Sequence, residues 1–583
     1  MMTNKTIGLF LLATTFLSSP AGAAALTPTL DTIKREAADL SGNFVLSELT
    51  SALPTGAVEV KIGNKSYYFM PSGENAALLA TLAGTPASNL KEDANGIFEL
   101  NGQKYGFDVA SIPDSVFEYA EGTKDDYNFT VQEADAEGNL TDKYYKINLK
   151  PENFSTSKSI TWTEVPEAQK DDKDDDLSDG KVSAVIAVRL PNDQTKYFQY
   201  TYTKPDGRII YSTRQVNFTG DVIDADFIGN FLSANYPAGG AIYNTGIRNK
   251  INGNFISNYL IGNGIQGGAI YNIGTIENIT GNFVGNYAAS TGNFAYGGAI
   301  YNDRATIGSI NANFADNYTS LGHSWGGGIA NSGIISSIAG NFISNHTTSN
   351  GGAIFNGSIF DGPDVAINNV YGDFINNYVA SSSSGDDVAS GGAIFNGSVF
   401  GGFSNVKIGS IIGDFIGNHV SSVIYSSYGG AIFNGTTKFD YTTSNGYASL
   451  GDITGNFIAN YAVSVNDSAY GGAISNYGYA QYSSLGNITG SFIKNYAVSD
   501  SKSAFGGAIY NGIKDKGSVA LGYVSGNFLN NYVQTKSITQ LAYGGAVYTE
   551  GNMTFAAGEQ KTYFMSGNYT LGRSYNKRYN AIF

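Results

Sequence analysis

Two short motifs alternate strictly along most of this chain. The first is GGAIYN at Gly239–Asn244, Gly267–Asn272, Gly297–Asn302 and Gly506–Asn511. Its near copies are GGAIFN at Gly351, Gly391 and Gly429, GGAISN at Gly471, GGGIAN at Gly326 and GGAVYT at Gly544. The second is F-x-x-N, as in DFIGN at Asp226, NFISNY at Asn254, NFVGNY at Asn282 and NFADNY at Asn313. It continues as NFISNH at Asn341, DFINNY at Asp373, DFIGNH at Asp414, NFIAN at Asn456, SFIKNY at Ser491 and NFLNNY at Asn527. Self-similarity at a period of roughly 20–50 residues signals a solenoid.

The residues decide which solenoid. Gly, Asn and β-branched or aromatic side chains fill the repeats, and these are poor helix formers. A stack of β-coils, a parallel β-helix, is therefore expected. Each coil sets its residues about 4.8 Å above those of the coil below, so identical residues form ladders. Asn can bond side chain to side chain along such a stack, and aromatic rings can pile face to face. Gly-Gly supplies turn conformations that other residues resist. The Ala and Ile that follow can enter a narrow core. Unbroken alternation through F-I-x-N-Y would place Phe, x and Tyr on one face, yet x includes Asp316 and Lys494, which should face water. A turn at the Asn, which tolerates the left-handed conformation, is the favoured resolution; an external stripe of Phe and Tyr is the alternative.

The region before the repeats differs. About 30 of the 49 acidic residues precede Asn217, so the net charge of −15 belongs mainly to that part. The N-terminus, MMTNKTIGLFLLATTFLSSPAGAAA, carries Lys5, an apolar run and a small-residue A-x-A site, the pattern of a secretory signal over residues 1–25. Residues 26–169 read as a β-rich region with alternating runs at Val58–Met70, Gly96–Val109 and Lys143–Lys150, and one helix around Thr32–Leu49. The run KDDKDDDLSDGK, residues 170–181, reads as a solvated acidic linker. Residues 182–216 read as a short β-hairpin region, with Pro205-Asp206-Gly207 as a turn between strands, leading into the solenoid over 217–583.

GGA(I/L/V) together with F-x-x-N, over Asn217–Ser566, resembles the chlamydial polymorphic outer-membrane proteins and related autotransporter passengers. The resemblance implies a right-handed β-helix displayed on a Gram-negative cell surface by a C-terminal outer-membrane barrel, commonly serving adhesion. A barrel of about a dozen strands needs some 250 residues. After Phe564–Gly572 only RSYNKRYNAIF remains, and the ending reads as a coil cut in mid-strand. Two explanations stay open: a fragment that lacks its barrel, or a passenger exported by another route.

Chemistry is sparse. With no cysteine there is no disulfide or thiolate site, and no Lys/Arg stripe marks a nucleic-acid partner. No run is long and apolar enough for a transmembrane helix. In the acidic run an EF-hand template started at Asp175 puts Gly180 correctly at position six. Positions three and twelve are then Leu177 and Ile186, which cannot ligate, so no metal is expected. His346 and His419 stand where other copies have Tyr, as members of an aromatic column, and His323 lies beside Trp325 with no second ligand nearby. Asp226, Asp373 and Asp414 precede the motif Phe where other copies have Asn, and read as ladder members; a pair from adjacent coils could still meet. Asp361, Asp364, Asp386 and Asp387 lie in insertions and should be solvated. No catalytic, cofactor-binding or metal residue is assigned, and no cofactor is expected.

Extra residues fall at Ser358–Asn369, Ala380–Ser390, Gly397–Lys407, Ser421–Ser427 and Thr437–Ala448, rich in Ser, Gly, Tyr and Asp. In a solenoid such insertions project as side loops, often at the binding face. The expected function is non-enzymatic adhesion to host or neighbouring-cell surface molecules, glycans among them. It would take place at the cell surface, on an outer membrane reached through a barrel absent from this sequence, or outside the cell. A secreted β-helical polysaccharide lyase or hydrolase and a self-associating structural surface protein are the alternatives.

Overall fold

The computed structural model describes residues 116–123, 130–134 and 140–571 apart from short breaks, with a few isolated strands on either side. The signal segment, the helix expected at Thr32–Leu49, and Asp361, Asp386 and Asp387 lie outside the described residues.

From Asp226 onward the chain winds as a parallel β-helix. One coil shows the plan. Gly267-Gly268-Ala269 turns the corner into strand Ile270–Asn272, the first face. Strand Thr275–Val284 forms the second face, and strand Tyr287–Tyr296 the third. The next coil repeats this directly above, with Ile270 beside Ile300, Tyr271 beside Tyr301 and Asn272 beside Asn302. The faces build parallel sheets of 10, 21 and 13 strands, the last closed by one antiparallel strand, Lys577–Arg578. The second face has more strands than there are coils because from Ile334 on it breaks just before the motif Phe, as at Ile334–Ala339 and Phe342–Ile343.

The two glycines of GGAI do different work. The first has φ between 62° and 72° in all ten copies, a region that side chains resist. The second packs so closely that a Cβ on Gly268 would overlap the Gly298 carbonyl oxygen of the next coil. Behind them Ala269, Ala299 and Ala353 and Ile270, Ile300 and Ile354 are fully buried.

Three ladders hold the stack. Ten Phe rings from Phe227 to Phe528 pile through the core with centroids 4.6–5.0 Å apart and planes within 6°. The Asn of F-x-x-N, from Asn230 to Asn568, passes one Nδ2–H to the Oδ1 of the Asn above at 2.8–3.0 Å, at every step. The Asn of GGAI-x-N does the same from Asn244 to Asn511 at 2.7–2.8 Å.

The turn in F-I-x-N lies one residue earlier than expected. The x residue, not the Asn, is left-handed: Ser257, Asp316, Asn376 and Lys494 have φ of 51–56°. The Asn is needed inside as ladder donor and acceptor, so the turn falls on the neighbour whose side chain can point out. The strain of about 1–2 kcal/mol is held by the bonds around it. Resetting the phase there sends Phe inward and Tyr outward. The Tyr/His column, from Phe231 through His346 and His419 to Tyr569, is therefore a half-buried external stripe of stacked rings.

A four-stranded antiparallel sheet precedes the solenoid, in spatial order Ile160–Val165, Thr195–Thr203, Lys181–Arg189 and Lys173–Asp174. The hairpin is closed at residues 190–194, where Leu190 N–H donates to the Gln194 carbonyl. The turn at Pro205–Gly207 is instead the passage into the solenoid: Ile210–Tyr211 pairs parallel with Asp226 and Phe227. The acidic run is exposed but is more than a tether, since Lys173–Asp174 forms the sheet's edge strand.

Candidate functional site

The motif residue after Phe determines where the N-terminal sheet goes. Ile228, Ile256, Val284, Ala315, Ile343, Ile375, Ile416, Ile458 and Ile493 form an outward aliphatic column, yet none is more than 4% exposed. Val182, Ile186, Val188, Phe198, Tyr200 and Tyr202 of the sheet pack in the same apolar cluster. The sheet lies along the rod, pinned by Asn254 Nδ2 on Ser159 Oγ (2.9 Å), Ser344 Oγ on the Ala187 carbonyl (3.0 Å) and Arg189 on the Tyr461 hydroxyl (2.9 Å). Nothing in composition pointed to this cover, although the constant aliphatic residue after each Phe is its signal.

The acids fall under that cover. Asp226 is fully buried: it accepts from the Tyr202 hydroxyl (2.5 Å), Arg208 Nε (3.1 Å) and Asn254 N–H (2.8 Å). Arg208 also binds Asp224, so the trio ties the sheet to the first coils. Asp373 and Asp414 do meet as stacked neighbours in adjacent coils, with Asp414 N–H donating to Asp373 Oδ1 at 2.9 Å. A glycosidase needs two accessible carboxyls flanking a sugar. Here Val116 N–H donates to Asp373 Oδ2 (3.3 Å), Asn456 donates to Asp414 Oδ1 (2.8 Å), and both acids are at most 6% exposed. They act as ladder members.

Burial, with the Asp373 charge as a second cause, pushes the Asp414 carboxyl up to about 7. Burial alone does the same to the partly buried Asp316. A carboxyl whose folded pKa is raised binds its proton more tightly folded than unfolded. Stability is then greatest below the unfolded value near 4 and falls as pH rises toward 7. Asp414→Asn is expected to stabilise the protein at pH 8 by about 1–3 kcal/mol and to leave it unchanged at pH 4, because the amide is isosteric with the protonated acid. Urea unfolding midpoints at the two pH values check this; equal gains at both would refute a titrating Asp414.

The histidines lie where the column requires. His346 stacks between Tyr318 and Tyr378, and His419 between Tyr378 and Tyr461, at 4.5–5.0 Å. Burial lowers each to about 4, so both are neutral at pH 7. His323 stacks against Trp325. Among the described residues no group of three or more His, Cys, Asp or Glu is placed to hold a metal ion.

Two surfaces have capacity to bind. One is a cleft of about 500 Å³ between the sheet and the first coils, lined by Ser157, Ser159, Pro205, Arg208, Asn252, Asn254, Thr280 and Asn311. Its groups are mostly neutral amides and hydroxyls, and its one cation is already held by Asp224 and Asp226. The other surface is the first face with its insertions. Those at Ser358–Asn369, Gly397–Lys407 and Thr437–Ala448 all leave the corner between the first and second faces. Those at Ala380–Ser390 and Ser421–Ser427 leave the corner between the third and first. Both sets thus flank one side of the rod. Two of them, in adjacent coils, touch each other: Ser404 Oγ donates to the Gly362 carbonyl (2.8 Å), and Asn405 donates to both Asp364 oxygens (3.0 and 3.2 Å). Asp364 is exposed, as expected, and also serves as a rung between two loops. Comparison with protein-family models, with curated proteins and with solved structures finds no match to this chain.

Proposed function

We propose that this chain is an exported, surface-displayed β-helical passenger of the kind its repeats resemble, and that it mediates adhesion through its side loops. The observation that carries this reading is the convergence of five insertions on the two corners of one face, braced by contacts such as Asn405 on Asp364. A laddered rod resists bending, and loop residues held by bonds between coils, as Asn405 is by Asp364, lose less entropy on binding. Host or neighbouring-cell glycans suit the Ser, Asn, Tyr and Asp of these loops. A carbohydrate-cleaving function finds little support in acids roofed by backbone.

Trimming Gly397–Lys407 and Thr437–Ala448 to the spacing of the shorter coils tests the proposal. Beads coated with the trimmed chain are expected to lose at least fivefold of their binding to target cells, with the melting temperature unchanged. Undiminished binding would sink the loop reading, and release of reducing sugar ends from cell-wall polysaccharide by the intact chain would favour the enzyme.

A further inference from the structure

Solenoids keep their ends soluble with polar terminal coils, and natural sheets blunt their edges. The first coil of this chain does neither. Six of the sixteen large apolar side chains most exposed among the described residues fall within it: Val222, Phe231, Leu232, Tyr236, Tyr243 and Ile247. Leu232 is the most telling. Its column points into the core, where Leu260 and Ala288 directly above are fully buried, yet Leu232 is 44% exposed. Phe231 and Tyr243 end two ring columns with one side unstacked, since their partners Tyr259 and Tyr271 lie only above.

The cap over this end is partial. Ile210–Tyr211 pairs with the second face and Tyr211 stacks on Phe227, closing that corner. Among the described residues, strand Phe231–Ser233 on the third face has a partner on one side only, and every residue in it is exposed. An uncharged, exposed edge strand with a half-exposed core leucine at its centre is a site for another β-strand.

We propose that this edge pairs with its own copy in a second molecule of this chain, across a two-fold axis that passes midway between the two Leu232 residues. In that arrangement the two Phe231–Ser233 strands run antiparallel, each Leu232 covers the other, and both edges are consumed. Two-fold contacts use one patch twice and close on themselves, so the assembly stops at two. A strand of unrelated sequence would satisfy the backbone, but from Asn230 to Ile247 this edge carries no charge that would repel its own copy. The chain's overall charge of −15 opposes approach at low salt, so pairing should strengthen as ionic strength rises.

The absence of cysteine gives a direct test. Opposed residues of an antiparallel pair lie within the Cα separation that a disulfide spans. Full-length Leu232→Cys is expected to form a covalent dimer under mild oxidation at least tenfold faster than Val465→Cys, an exposed position far along the rod. Sedimentation of the unmodified chain should show a monomer–dimer equilibrium that shifts to dimer with salt. Leu232→Lys should abolish it while leaving the circular dichroism and melting temperature unchanged. Equal cross-linking rates, or a monomer at all concentrations, would overturn the proposal, the second pointing to upstream residues of the same chain as the cover. Growth beyond a dimer would overturn the two-fold arrangement in favour of head-to-tail stacking.

Discussion

Asn345→Ala is expected to lower stability by about 3–5 kcal/mol, a large loss for a change that removes only an amide. Asn345 Oδ1 accepts from the Asn317 backbone N–H (3.0 Å) and from Asn317 Nδ2 (2.9 Å). Its own Nδ2 serves the Phe314 carbonyl (2.9 Å) and Asn377 Oδ1 (3.0 Å). All of these groups are buried, so the substitution strands the Asn317 N–H, one Asn317 Nδ2 hydrogen and the Phe314 carbonyl where water cannot reach them, and leaves Asn377 Oδ1 only the residue-345 backbone N–H. Because each coil touches mainly its neighbours, the damage should be local: fast amide exchange confined to the coils on either side, with distant coils protected. Chemical denaturation with hydrogen exchange checks both parts. A loss below 1 kcal/mol would mean the Asn column is a passenger of the fold rather than its support.

The second large effect is steric. Gly352→Ala is expected to cost about 4 kcal/mol or more, or to prevent folding, because its Cβ would overlap the Gly392 carbonyl and the Tyr378 backbone of the adjoining coil. These are backbone atoms, one in a hydrogen-bonded glycine corner and one in the third-face sheet, and cannot swing aside. Gly229→Ala is the control. Gly229 also has a positive φ, 62°, but a Cβ there meets nothing within 4 Å, so only the conformational strain of about 1 kcal/mol remains. Melting temperatures of the two variants separate close packing from backbone strain; similar values would refute the distinction.

Much of the fold was legible before any coordinates. The alternation of two motifs marked a solenoid. The scarcity of helix formers marked it as β, and the repetition of Asn and Phe foretold the ladders. His346 and His419 were recognisable as column members because they occupy the Tyr position. Asp226, Asp373 and Asp414 were recognisable as ladder members because they alternate with Asn. The left-handed residue was misplaced by one, since Asn has two uses, turn former and buried amide, and local preference does not say which one prevails. Inside a stack the buried hydrogen bonds outweigh the turn preference, and residues as ill-suited as Lys494 take the turn instead.

What the sequence determined by itself was everything that repeats: coil period, core residues, glycine corners and where insertions interrupt them. These follow from interactions between equivalent positions one coil apart, so each copy of the motif reports on the same contact. Only the tertiary structure decided what does not repeat. The N-terminal sheet covers the aliphatic column from Ile228 onward, the Val116 N–H caps Asp373 of the stacked acids, and Leu232 stays exposed among the described residues. Each of these joins segments that share no periodicity, through burial of matched apolar surface, and burial of that kind depends on shape in three dimensions rather than on spacing along the chain.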